Sequence, residues 1–383
     1  MIQPATRMND LTASVFSELA AKKAEKAAQG HDIIDLSIGS PDLPPPQEIR
    51  DSLAENAREE GQYGYTLKGT SDFQEAVCHY YKERFGVSIL PDEVLQLMGS
   101  QDGLAHLALA YLDPGDIIIA PDPGYPIYSA CARLAGADLY TVPVNEDNNF
   151  MPDLSLIPLD ILRRAKMMIF NYPGNPTAAL ATKEYFKEMI SFGLKHNILI
   201  VHDFAYSELI FANNEPISIF HIPDAKKIAV EFNSLSKSFN MAGARIGYLI
   251  GYPSLLKPLA SLKSHIDYGV FLPIQNAAVK ALTSDYSFLQ EHKETYQARR
   301  DVLFDSLTEN GWNVRKPDGG MFIWARIPPH YTSLSFSLEA IEQGVVVTPG
   351  NAFGMGGEGY VRIALVQSDE RLREAGLRLT SLI

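Results

Sequence analysis

Apolar residues come in short blocks along this chain, and the stretches between them carry helical spacing. Blocks at 94–98, 117–120, 138–142, 167–170, 198–201, 228–232 and 248–251 are the candidate strands. An unbroken run such as 198–201 lacks the alternation of a half-exposed strand. It suits a strand buried on both faces, as in a parallel sheet covered by helices. From residue 47 onward strands and helical segments alternate, which predicts an α/β unit with a mostly parallel sheet. Residues 11–29, rich in Ala, Lys and Glu, predict an amphipathic helix, and 32–38 a short strand. The proline-rich stretch 41–46 predicts a rigid break. A long charged segment at 285–306 predicts a helix leading into strands near 321–327, 345–347 and 360–365. The expected organisation is a large domain over 47–285, with a mostly parallel sheet flanked by helices. A smaller, discontinuous α+β domain takes both chain ends, 1–46 with the amino-terminal arm and 286–383. No internal repeat or low-complexity tract interrupts the pattern.

Composition narrows the classes. The 383 residues are 46% hydrophobic and 21% charged, ordinary for a globular chain long enough for two domains. A formal net charge of -13 argues against nucleic acid or an anionic membrane as the main partner. Cys78 and Cys131 form no Cys-x-x-Cys pair, so neither a disulfide framework nor a structural zinc is expected. His202 and Asp203 are adjacent, but no third ligand follows at a fitting spacing, and no metal is expected. No stretch approaches the roughly 18 apolar residues of a membrane span. The first ten residues lack the apolar core of a signal peptide. Cytoplasmic location is the resulting expectation.

Candidate chemistry gathers where apolar blocks end. Lys237 lies among Ser234, Ser236 and Ser238, with Arg245 downstream. An amine beside hydroxyls and a guanidinium suits an aldehyde cofactor that carries a phosphate: the amine forms an imine and the other groups hold the phosphate. Pyridoxal 5'-phosphate (PLP) has both parts. Taken alone, a lysine after serines reads equally as a solvated loop residue. Asp203 sits just past the block 198–201, at the strand end where open α/β sheets bind ligands. A carboxylate there can pair with a protonated pyridine nitrogen, and Tyr206 follows within reach of the ring oxygen. An aspartate capping the next helix explains the same position. Asn175 is held in a turn by Pro173, Gly174 and Pro176, from which its amide can meet cofactor and substrate. Gly99, Ser100 and Gln101 follow the block 94–98 and open a helix, whose free N–H groups suit a phosphate. Tyr125 sits in a rigid Pro-Gly-Tyr-Pro turn from which a ring can stack.

Taken together and in order, these runs resemble fold-type I PLP enzymes, and more narrowly the class I and II aminotransferases. The resemblance runs from Ile38, Gly39 and Asp42 to Tyr360 and Arg362. Gly99-Ser100, the run from Pro121 to Tyr128, the run from Arg163 to Lys166 and the run from Val346 to Gly350 are similar to the LL-diaminopimelate aminotransferase-like group. Two positions depart from that group. Ala244 stands where an aromatic residue usually precedes the arginine, and no tyrosine lies near Ser14 in the amino-terminal arm.

The resemblance implies ping-pong transfer of an amino group from an L-amino acid to a 2-oxo acid. Lys237 would hold PLP and move the Cα proton, Asp203 would keep the ring protonated, and Ser100, Ser234, Ser236 and Arg245 would cradle the phosphate. Arg362 would grip the substrate carboxylate with Asn175, beside the backbone of Gly39. Tyr65 would reach the phosphate of a neighbouring subunit, which implies a homodimer with shared sites, and Lys68 shares its loop. LL-diaminopimelate, aspartate, alanine and aromatic amino acids all remain candidate donors. A PLP-dependent carbon–sulfur β-lyase would share every residue named. A non-catalytic PLP-binding regulatory module would need an amino-terminal DNA-binding domain that this sequence does not show. The glycine-rich stretch 354–359 lacks a phosphate-loop lysine and is expected to be a mobile loop beside Arg362.

Overall fold

A computed structural model describes residues 2–8 and 14–383. The start of the first predicted helix, 11–13, and the side chain of Ser14 lie outside the described residues. From Ser14 the helix Ser14–Ala28 forms as expected.

Among the described residues, twelve strands form three sheets. They are β1 Ile34–Asp35, β2 Val94–Leu97, β3 Ile117–Asp122, β4 Asp138–Pro143, β5 Ala165–Asn171, β6 Leu199–Asp203, β7 Ala229–Ser234, β8 Gly247–Gly251, β9 Phe322–Arg326, β10 Val345–Val346, β11 Thr348–Pro349 and β12 Tyr360–Ala364. All seven strands predicted between 94 and 251 belong to one sheet, in the order β2-β8-β7-β6-β5-β3-β4. Only β8 runs against the others, pairing antiparallel with β2 and β7. The continuous apolar runs have their expected cause. Ile119, Met168, Phe170 and Ile200 face one helix layer, with Phe186, Met189 and Ile190 of Lys183–His196. Ile118, Met167, Ile169 and Val201 face the other, with Leu104 and Leu107 of Ser100–Tyr111 and Leu259 of Pro253–Ile266. Each such side chain contributes about 1.5–3 kcal/mol when fully buried.

The two small sheets join the chain ends. β1 pairs in parallel with β10, and β12 lies antiparallel between β11 and β9. The strand expected over 32–38 pairs only at Ile34–Asp35. The Asp35 carboxylate turns back to accept from the Ser37 N–H at 2.9 Å and from its hydroxyl at 2.6 Å, which ends the extended run. The long charged segment forms the helix Ser287–Glu309, packed against Asp369–Thr380. No helix among the described residues is long and apolar enough to cross a membrane.

Candidate active site

Parallel register aligns Asn171 of β5, Asp203 of β6 and Phe232 of β7. The carboxyl ends of these strands floor a cavity of about 370 Å³. Asp203 is 5% exposed, and its Oδ2 accepts the Tyr128 hydroxyl at 3.0 Å. Burial raises its pKa, partly offset by that hydroxyl. Asn171 shapes the next turn. Its Nδ2 donates to the Asp203 carbonyl at 2.6 Å, and its Oδ1 accepts from the Asn175 N–H at 2.7 Å.

After β7 the chain enters the short helix Leu235–Ser238. Ser234 caps it, with its Oγ accepting from the Ser236 N–H at 3.1 Å. That start aims Lys237 into the cavity, where its Nζ donates to the Gly39 carbonyl at 2.5 Å. Burial, and then the positive charges of Arg362 and Arg245, bring the amine down to about 8. Arg245 lies over the start of the helix Ser100–Tyr111. Gly99, at φ +88°, makes room for it: a Cβ there would sit 2.5 Å from the guanidinium Nη2. Arg245, Ser100, Ser234 and Ser236 thus share one side of the cavity.

Arg362 also lines the cavity, in the middle of β12 and 7% exposed. It donates to Asn175 Oδ1 at 2.9 Å and to the Ser37 carbonyl at 2.6 Å, between the rings of Phe322 and Phe353 at 4.3 and 4.8 Å. Its buried Nε has no partner. Burial lowers its pKa to about 10, so it stays charged at neutral pH. A buried cation whose partners are all neutral favours an anionic ligand. Tyr125 donates to Gln101 Oε1 at 2.9 Å, and Tyr206 meets Phe322 edge-on; all three predicted residues line the cavity, as does Gly39. Tyr65 does not. It is 85% exposed beside Tyr268, and Lys68 is exposed on the same loop, outside the lining.

A family model described as aminotransferase class I and II matches residues 31–379. The chain belongs to this family. An LL-diaminopimelate aminotransferase of Moorella thermoacetica is 42% identical, covering 100% of this chain and 99% of its own. One from Halothermothrix orenii is 41% identical over 99% and 98%. Among solved structures, the apo form of BacF from Bacillus subtilis superposes with a TM-score of 0.95 at 36% identity, covering 100% of this chain and 98% of the other. A probable N-succinyldiaminopimelate aminotransferase from Thermus thermophilus gives 0.92 at 36% identity, over 96% and 100%. The fold-type I resemblance therefore holds, the chain is an aminotransferase, and the lyase alternative is not favoured.

This aminotransferase also has residues that sequence reasoning did not single out, lining the cavity or, for Tyr128, supporting Asp203 from behind it. Tyr128 follows Tyr125 by one helical turn, a spacing that could have flagged it. Asn171 directly follows the apolar block 167–170. Ser37, Phe322 and Phe353 carry no local signal. The stretch 354–359, expected to be mobile, is fastened: the Gly356 N–H donates to Asp122 Oδ1 at 2.9 Å. Gly354, at φ +117°, packs so closely on that carboxylate that a Cβ would overlap it. His202 turns away from Asp203, its Nδ1 2.7 Å from Glu231 and its Nε2 3.0 Å from the Tyr172 carbonyl. Asp102, His106 and Asp267 do bring ligand atoms within 4.8 Å of one another. Lys263 already supplies that cluster with a cation, 2.8 Å from Asp267.

Proposed function

We propose that this aminotransferase holds PLP in the cavity, takes LL-diaminopimelate as amino donor and a 2-oxo acid as acceptor, and works as a homodimer. One observation carries the reading: half-buried Lys237 and buried Asp203 and Arg362 open into a single cavity, with no ion pair satisfying any of them. The residues fit the cofactor. Ser100, Ser234, Ser236 and Arg245 would hold its phosphate beside the helix terminus, where Gly99 leaves the room. Asp203 would hold the pyridine nitrogen, and a cation there would offset the cost of burying this carboxylate. Tyr125 and Tyr206 would contact the ring and its oxygen. When bound, PLP supplies the electron sink that makes a Cα proton acidic.

The chain's own residues do the rest. Arg362 and Asn175 bind the donor's α-carboxylate and so set which Cα bond points at Lys237. The Lys237 amine, brought to about 8 by burial, has a usable neutral fraction at neutral pH and takes the Cα proton as a base. The same amine, once protonated, would act as the acid that delivers the proton to the cofactor carbon taking up the amino group, rather than back to Cα.

The named activity of full-length relatives supports LL-diaminopimelate as donor. An exposed aromatic patch supports the dimer. Tyr65 meets Tyr268 and Tyr63 meets Phe271, with ring centroids 5.1 and 5.2 Å apart, and Leu67 adds to the exposed surface. A second copy docked there would bring Tyr65 to its partner's phosphate site and Lys68 towards the donor's far end. The division 47–285 against 1–46 and 286–383 fits the topology: the seven-stranded sheet falls within the first range, and both small sheets draw only on the second.

The test is a donor screen with purified protein, PLP and 2-oxoglutarate, reading glutamate. LL-diaminopimelate should outperform aspartate, alanine and phenylalanine, and Lys237→Ala should abolish the signal. Preference for another donor would overturn the substrate assignment alone. Full activity in Lys237→Ala would overturn the mechanism. Pyruvate from cystathionine without an acceptor would restore the lyase.

A further inference from the structure

Behind the cavity, one face of the helix Ser287–Glu309 reaches three parts of the site at once. His292 Nε2 lies 2.8 Å from the Lys237 carbonyl oxygen. A carbonyl only accepts, so Nε2 carries the proton, and Nδ1 is left buried without a partner. The ring is clamped between Phe288, stacked at 5.3 Å, and Tyr296, edge-on at 4.9 Å. Seven residues along the same face, Arg299 grips Asp42 with two bonds of 2.7 and 2.8 Å. Asp42 lies three residues after Gly39, whose carbonyl receives the Lys237 amine. Arg299 also donates to the Leu365 carbonyl at 3.2 Å, just past the strand that carries Arg362.

We propose that His292 and Arg299 are positioning residues for Lys237, holding both ends of the lysine from one rigid helix. His292 fixes the backbone, and Arg299 fixes the segment that receives the amine. This inference rests on Lys237 being the reactive lysine. The helix Leu235–Ser238 is a single turn, too short to hold its own last carbonyls. Without His292 the Lys237 carbonyl would lose its donor. The lysine stem would then lose its fixed origin relative to Asp203 and Arg362. A misplacement of about 1 Å in such a site costs about 100-fold in rate.

His292→Phe keeps the aromatic stacking and removes the donor, while His292→Gln keeps a donor of similar reach. The phenylalanine variant should lose about 10- to 100-fold in kcat. The donor KM should stay within about threefold, because Arg362 is untouched. The glutamine variant should recover most of the loss. A second readout uses cofactor-free protein treated with acetic anhydride at pH 8, comparing acetylation of Lys237 with that of exposed Lys68. A displaced Lys237 changes both its access to the reagent and its neutral fraction, so the ratio should change several-fold in His292→Phe and return to the parent value in His292→Gln. Should His292→Phe fail to fold, His292→Asn replaces it, its amide too short to reach. A folded phenylalanine or asparagine variant with wild-type kcat and labelling overturns the proposal. Equal losses in the glutamine variant also overturn it, since packing alone would then matter. Lys237→Ala as control separates the readings: if it is inactive while His292→Phe is normal, only the positioning role fails.

Discussion

Two buried carboxylates on neighbouring strands point opposite ways and live under different conditions. Glu231 of β7 faces the layer behind the sheet and is saturated. It accepts from the Tyr81 hydroxyl at 2.9 Å, the Ser218 hydroxyl at 2.7 Å and the Ile219 N–H at 2.7 Å, and it meets His202 at 2.7 Å. Asp203, one residue beyond His202, faces the cavity with the Tyr128 hydroxyl at 3.0 Å and a long bond from the Ala205 N–H at 3.4 Å. The period-two alternation of a strand separates them. The contrast extends to the cations. Arg84 is paired with Glu208, and Arg299 with Asp42, whereas Lys237 and Arg362 have only neutral oxygens. Burial by itself does not mark a site. Burial without a compensating charge does, because such a group is costly until a ligand supplies the missing partner.

The sharpest way to break this comparison is to disturb the saturated side. Glu231→Ala strands His202, Tyr81 and Ser218 at once and should cost about 3–5 kcal/mol in chemical denaturation. The folded fraction should keep kcat within about threefold. A variant as stable as the parent but catalytically impaired would place Glu231 in the wrong region. On the open side the signs reverse. Arg362→Ala should lower kcat/KM for α-amino acid donors by about 100-fold, roughly 3 kcal/mol of charge-assisted binding, without lowering the melting temperature. Loss of stability with unchanged kinetics would contradict the assignment of this cation to the ligand.

The smallest effect concerns Lys237 itself. Its pKa is lowered on folding, to about 8 from 10.5. Below pH 8 the folded chain therefore carries a buried charge that the unfolded chain solvates. That cost shrinks as pH rises from about 8 towards 10.5, where the unfolded state binds the extra proton. Lys237→Met should accordingly stabilise the cofactor-free protein by about 1–3 kcal/mol at pH 7. The gain should close near pH 10. A constant difference across that range would mean the lysine is not strained by burial.

Much of the large sheet was legible because burial on both faces leaves unbroken apolar runs, which no other surface element requires. The ends were harder. β11 is two residues long and leaves no periodic trace, and β1 is cut short by the Asp35–Ser37 turn, a side-chain event. In the site, Lys237, Asp203 and Asn175 stood out because each follows an apolar block or sits in a rigid turn. Tyr128 meets Asp203 across 75 positions, and Arg362 meets Asn175 across 187, so their pairing exists only in the folded chain. His292 and Arg299 were invisible for another reason. In a long charged helix a buried histidine and arginine look like two more polar residues until something is seen to lie beneath them.

That helix has a consequence for how the chain can change length. Successive residues advance about 100° around a helix, so His292, Tyr296 and Arg299 share a face only in their present phase. One residue inserted between Tyr296 and Arg299 would keep the helix and swing either His292 or Arg299 off the site, depending on which end stayed anchored. Point substitutions on its exposed faces leave that phase intact. The segment is thus open to changes of residue and closed to changes of length.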